Sequence, residues 1–170
     1  PNYSKYHRYF NPNDHSQVIG EATPIYMYWN KSIERIYFYN PQIKLIIILR
    51  NPIERAFSHW NMERDKGRER RTFLRAILDE KSKINSQNYS QNKILSYLDR
   101  GYYSKQIKNI YNYFNQNQLL ILRSEELREN PDRTLMAVAD FLSIPPFNPV
   151  DYREINSRSY PHKMSDDEHT

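Results

Sequence analysis

In the run Leu49-Arg50-Asn51-Pro52-Ile53-Glu54-Arg55-Ala56-Phe57-Ser58, an arginine stands immediately before the grammar of a helix start, and a serine lies inside the helix that follows. A guanidinium offers a planar fork of donors that grips a phosphate bidentately, which the point charge of a lysine cannot do. Serine is an indifferent helix former, so in a helix interior its hydroxyl either bonds back to the preceding turn or serves a ligand. Arg50 and Ser58 are thus candidates for holding an anion.

These residues depend on the elements that carry them. Residues 44–49 form an uninterrupted aliphatic run after Lys44, which suits a strand buried on both faces, as in a parallel sheet, with Arg50 at its carboxyl end. Asn51 as N-cap, Pro52 at the first helical position and Glu54 at the third predict a helix from there to about residue 63. On that helix Ile53, Ala56, Phe57 and Trp60 share one face, expected to be buried, while Glu54, Ser58 and Asn61 fall on a neighbouring polar stripe.

Elsewhere, residues 18–20 read as a short strand opening into the loop Glu21-Ala22-Thr23-Pro24, and residues 30–39 as a helix stopped by Pro41. Residues 64–92 are polar and charged. Phe73, Leu74, Ile77 and Leu78 mark an amphipathic helix inside them, and residues 85–92 an Asn/Ser/Gln-rich loop expected to be the least ordered part of the chain. A helix over 102–114, a buried strand over 119–122 and a helix opening at Asn130-Pro131 complete the pattern, with an irregular tail after Pro146. Strands alternating with helices predict an α/β fold, a mostly parallel sheet flanked by helices with its ligand crevice outside the strand carboxyl ends.

The 170 residues suit a single domain, and the net charge of +5 favours anionic partners. The absence of cysteine excludes disulfides, thiolate metal sites and cysteine nucleophiles. The longest aliphatic run is far too short to span a bilayer, so the chain is expected to be soluble. Histidines 7, 15, 59, 162 and 169 show no metal-ligand spacing, no metal is expected, and His59 reads as a surface residue. Neither a Walker loop nor Gly-x-Gly-x-x-Gly is present, which argues against a kinase or a dehydrogenase. The cations of residues 64–75 read as a solvated, salt-bridged surface, and the 15 tyrosines as core and rim packing rather than a base-stacking platform.

The order strand, Arg50, Asn51-Pro52-x-Glu54-Arg55-Ala56-x-Ser58, then an aromatic, resembles the 3′-phosphate-binding motif of sulfotransferases that use 3′-phosphoadenosine-5′-phosphosulfate (PAPS), especially heparan sulfate sulfotransferases and their bacterial relatives. Residues 20–26 resemble the family's Glu-Lys-Thr-Pro segment, with Ala22 in the lysine position. Residues 119–127 followed by Asn130-Pro131 resemble the later strand and its Glu-Asp-Leu-x-x-x-Pro continuation.

The resemblance implies a P-loop-like sulfotransferase fold in which Arg50 and Ser58 bind the 3′-phosphate of PAPS and of its product, 3′-phosphoadenosine-5′-phosphate (PAP). It implies sulfuryl transfer to a hydroxyl or amine, with a saccharide the favoured acceptor and no metal required. The family's 5′-phosphosulfate loop and usual base are expected upstream of Pro1, and its closing basic loop beyond Thr170, so the chain reads as the central portion of the domain. Among the residues present, Glu21 is the candidate acceptor-side base, on the expectation that it leaves a strand end beside the Arg50 strand. Glu54 and Arg55 are expected to hold loop and helix together. The cytoplasm is the expected compartment for a bacterial member and the Golgi lumen for a membrane-anchored eukaryotic one, the former favoured. The rival reading is a noncatalytic basic module that binds sulfated or phosphorylated polymers, with nucleic-acid binding third.

Overall fold

A computed structural model of the chain describes residues 3–10 and 18–148. The elements run α1 (Ser4–His7), α2 (Ile25–Tyr28), α3 (Asn30–Tyr39), β1 (Leu45–Leu49), α4 (Pro52–Asp65), α5 (Phe73–Ile84), α6 (Tyr103–Tyr111), β2 (Leu119–Arg123), α7 (Ser124–Glu129) and α8 (Pro131–Leu142), with single 3₁₀ turns before α6 and β2. β1 and β2 pair in parallel, in register from Leu45 opposite Leu119 to Leu49 opposite Arg123. A parallel pair needs a long crossover, and here α4, α5 and α6 lie within it.

One face of this ribbon, through Leu45, Ile47 and Leu119, packs on Ile33 and Ile36 of α3 and on Ile107, Ile110 and Phe114 in and after α6. The other face is barely covered: Ile46 is 37% and Ile48 52% exposed. The expectation of a strand buried on both faces is therefore corrected, because the described helices that enclose β1 lie on one side of it.

A second core joins Ala56, Phe57 and Trp60 of α4 to Phe73 and Ala76 of α5 and to Tyr97. Phe57 meets Phe73 edge to face at 5.2 Å between ring centroids, and the Trp60 indole N–H donates to the Arg71 carbonyl at 3.1 Å. Large aromatics dominate such a core because each removes an extensive apolar surface from water. Two residues of α4 depart from the expected pattern. Ile53 is 43% exposed, and Asn61 is buried with its amide donating to the Phe57 carbonyl at 3.1 Å. The buried face of α4 is thus rotated toward the polar side as the helix proceeds, ending on Glu63, also buried.

Three further expectations are revised. Residues 18–20 are irregular rather than a strand, and the 102–114 helix stops at Tyr111. The polar loop 85–92 is irregular as expected, but its side chains pin it: the Tyr89 hydroxyl donates to Asp99 at 2.5 Å, the Gln91 amide donates to the Tyr28 carbonyl at 2.7 Å, and Asn92 accepts from Ile94 N–H and Leu95 N–H. Residues 145–148 are irregular, and the remainder of the tail lies outside the described residues.

Candidate functional site at the carboxyl end of the sheet

α4 follows β1 with only Arg50 and Asn51 between them. Asn51 caps the helix, its side-chain oxygen accepting from Ile53 N–H at 2.9 Å and Glu54 N–H at 3.4 Å, and Pro52 fills the first position, where its missing N–H costs nothing. The Asn51 N–H donates in turn to Glu125 of α7 at 3.3 Å, and the Tyr103 hydroxyl donates to the Arg50 carbonyl at 3.0 Å. Three elements therefore hold the backbone around Arg50. The close approach of the turn before α6 is part of this: a Cβ on Gly101 would lie 3.3 Å from the Pro52 ring.

Because Asn51 occupies the first amides of α4, an anion here cannot be cradled by the bare helix N-terminus and has to be gripped by side chains. Arg50 supplies the charge. Its Nε and Nη2 both donate to Oε2 of Glu54, at 3.2 and 3.0 Å, and its side chain is 37% exposed. Ser58 lies one turn beyond Glu54 on α4, so the two share a face, and the face is the one toward which Arg50 reaches. Arg50 thus pairs with the residue one turn before Ser58. Arg55 turns inward and donates to the Tyr97 carbonyl, tying α4 to the turn before α6.

The register adds a cation that sequence reading passed over. Arg123 stands opposite Leu49, so the carboxyl edge of the ribbon carries Arg123 on one strand and Arg50 just past the end of the other. The signal was present as a repeated phrase, Ile-Ile-Ile-Leu-Arg and Leu-Leu-Ile-Leu-Arg, in the two strand segments.

Glu21 sits in a different setting. Its carboxylate accepts from the hydroxyls of Tyr6 at 2.5 Å, Thr23 at 2.8 Å and Tyr26 at 2.8 Å. The Tyr6 hydroxyl, with those of Tyr26 and Thr23, outweighs burial and holds Glu21 below the usual carboxylate range. A carboxylate so satisfied is a weak base, and because residues 18–23 form no strand, Glu21 does not leave a strand end as expected. It ties α1 to the bend before α2.

His59 is not a surface residue. Its side chain is 9% exposed, and its ring meets Tyr97 edge to face at 5.0 Å. Burial, with Arg100 and Arg55 nearby, pushes its imidazolium down to about 4, so it is neutral near pH 7. The cations of residues 64–75 are salt-bridged as expected, but several of their partners are buried. Glu69 accepts from Arg71 at 2.7 Å, and Glu63 from Lys66 and Arg68 at 3.3 and 3.4 Å.

Comparisons with known proteins give the family and the fold. Residues 31–170 match the sulfotransferase domain, and the chain belongs to that family. It is 33% identical over 110 residues to the human bifunctional heparan sulfate N-deacetylase/N-sulfotransferase 2, covering 63% of this chain and 12% of that protein. It is 31% identical over 131 residues to the mouse heparan sulfate glucosamine 3-O-sulfotransferase 5, covering 76% of this chain and 37% of that one. Its fold matches the crystal structure of a sulfotransferase from Alicyclobacillus acidocaldarius with a TM-score of 0.76 and 24% identity, over 99% of this chain and 64% of the other. The chain thus spans well under half the length of these two curated relatives.

Proposed function

We propose that this chain is the 3′-phosphate-binding portion of a PAPS-dependent sulfotransferase whose intact form transfers a sulfuryl group to a hydroxyl or amine of a saccharide. The observation that supports the reading is that Arg50 directly follows a parallel strand's carboxyl end and pairs with Glu54, the residue one helical turn before Ser58. In open α/β sheets that end is where ligands bind. The donor set suits a phosphate ester: a guanidinium for charge and a hydroxyl for one further hydrogen bond, with no helix amide left over.

Sulfuryl transfer needs an in-line acceptor, a base for its proton and fixed positive charge near the leaving phosphate. Arg50 and Ser58 serve the first need, by fixing the nucleotide through its 3′-phosphate so that its other end is held in one place. Glu21, caged by three hydroxyls, suits an anchor better than a base. The saccharide preference rests on the relatives, two of which are named for heparan sulfate. The basic character, with net charge +5, suits an acidic polymer.

Calorimetry of the intact protein with PAP and with AMP at one salt concentration tests the reading. PAP is expected to bind more tightly. Arg50→Ala should remove most of the difference, about 10- to 100-fold, as expected for hydrogen bonds to a charged group. Equal wild-type affinities would end the assignment.

A further inference from the structure

Glu54 occupies the position that the proposed ligand needs. A phosphate that touches both the Arg50 guanidinium and the Ser58 hydroxyl must lie along the stripe of α4 on which Glu54 stands, because side chains four apart on a helix are neighbours at about 5–6 Å between Cβ atoms. The Nε and Nη2 donors that Arg50 turns toward that stripe are both taken by one carboxylate oxygen of Glu54. A phosphate and a carboxylate on one guanidinium edge repel each other, so the two anions exclude one another there.

Resting on the proposed function, we infer that Glu54 is a placeholder anion: it holds and neutralises Arg50 while the site is empty, swings away when a 3′-phosphate enters, and returns when the nucleotide leaves. The pair is built for such exchange. Its side chains are 37% and 50% exposed, so neither partner has to be taken out of or put back into a dry interior for the exchange to occur. A phosphate monoester carries close to two negative charges near neutral pH and displaces a single carboxylate, whereas a 3′-hydroxyl carries none and does not. Glu54 gives up no backbone support in moving, because the helix start is capped by Asn51 and backed by Pro52.

The test compares Glu54→Gln and Glu54→Ala with wild type, using PAP and AMP as probes and association and dissociation kinetics beside calorimetry. Removing the competing charge should tighten PAP by about two- to fivefold, the value of an exposed ion pair. The gain should fall mainly in faster association, because the free site no longer has to release its own carboxylate, with dissociation little changed and AMP unchanged. Weaker or unaltered PAP binding in both variants would overturn the placeholder, and so would equal tightening of PAP and AMP, which marks a general effect of one lost negative charge. Equal affinities of the wild type for PAP and AMP would instead remove the reading on which the placeholder rests, and the two failures are distinct.

Discussion

The two ends of α4 handle charge in opposite ways. At its start, Arg50 and Glu54 form one ion pair, 37% and 50% exposed. Past its end, buried carboxylates are held redundantly. Glu69 accepts from the Arg71 guanidinium, from Arg70 and Arg71 N–H at 2.9 Å each, and from the Tyr97 hydroxyl at 3.1 Å. Glu80 accepts from Tyr97, Leu98 and Asp99 N–H at 2.7, 2.8 and 3.0 Å, and so fixes the turn that leads to α6. The exit from α4 is held as well. Gly67, at φ +69, allows its own N–H to bond Arg64 and that of Arg68 to bond Glu63, so the chain turns with its carbonyls paired. A charge taken out of water must have all its bonds supplied by the protein, whereas a charge left at the surface can change partners. The buried end is a scaffold, and the exposed end is the one to which the proposed function assigns the nucleotide.

That contrast breaks most visibly at Glu69. Glu69→Ala leaves the buried Tyr97 hydroxyl without its acceptor and Arg71 with Asp79 alone, and should lower unfolding stability by about 3 kcal/mol, read as a lower denaturant midpoint. Arg50→Ala should do the reverse, abolishing most of the preference for PAP while moving stability by less than about 0.5 kcal/mol, as is usual for an exposed site. A large loss of stability there would erase the distinction between the two ends. Ser58→Ala should cost about 1.5 kcal/mol of PAP binding, the low end for one hydrogen bond to a charged group. If PAP binding is unchanged, Ser58 leaves the site while Arg50 remains in it.

The remaining expected effect is on pH dependence. His59 ionises at about 4 in the folded chain against an ordinary value of 6.5, so the unfolded chain binds the proton first. Its contribution is fully present above 6.5 and is lost as pH falls toward 4. Glu69 acts lower. Burial alone would raise it, but the Arg71 guanidinium, the Arg71 N–H and the Tyr97 hydroxyl bring it to about 2, so its contribution is present above the ordinary 4.5 and is lost as pH falls through 2. His59→Phe should flatten the stability profile between pH 6.5 and 4 and leave the steeper acid limb in place. An unchanged profile in the upper window would mean that His59 is solvated.

The local grammar of the chain was legible because it depends on neighbours in sequence. Asn51, Pro52 and Glu54 specify a helix start through backbone capping and a fixed φ, and the aliphatic run before them specifies a strand, whatever the rest of the chain does. Arg50 at a strand end and Ser58 one turn past Glu54 follow from that grammar alone. The apolar run could not say which of its faces would be covered, and Ile46, Ile48 and Ile53 proved exposed. Nor could a local reading tell that His59 and Asn61 would turn inward, since that depends on where α5 and Tyr97 pack.

By itself the sequence determined the two paired strands and the longer helices, the capped start of α4 and the kind of anion chemistry its residues suit, because propensity, capping and periodicity act within a few residues. Only the tertiary structure decided that Arg123 lines up beside Leu49, that Glu21 is caged by Tyr6 and Tyr26, and that Glu69 and Glu80 are buried with full sets of partners. Those outcomes join residues far apart in the chain. Which of them meet is set by how the apolar faces stack, and the charges take the positions that stacking leaves them.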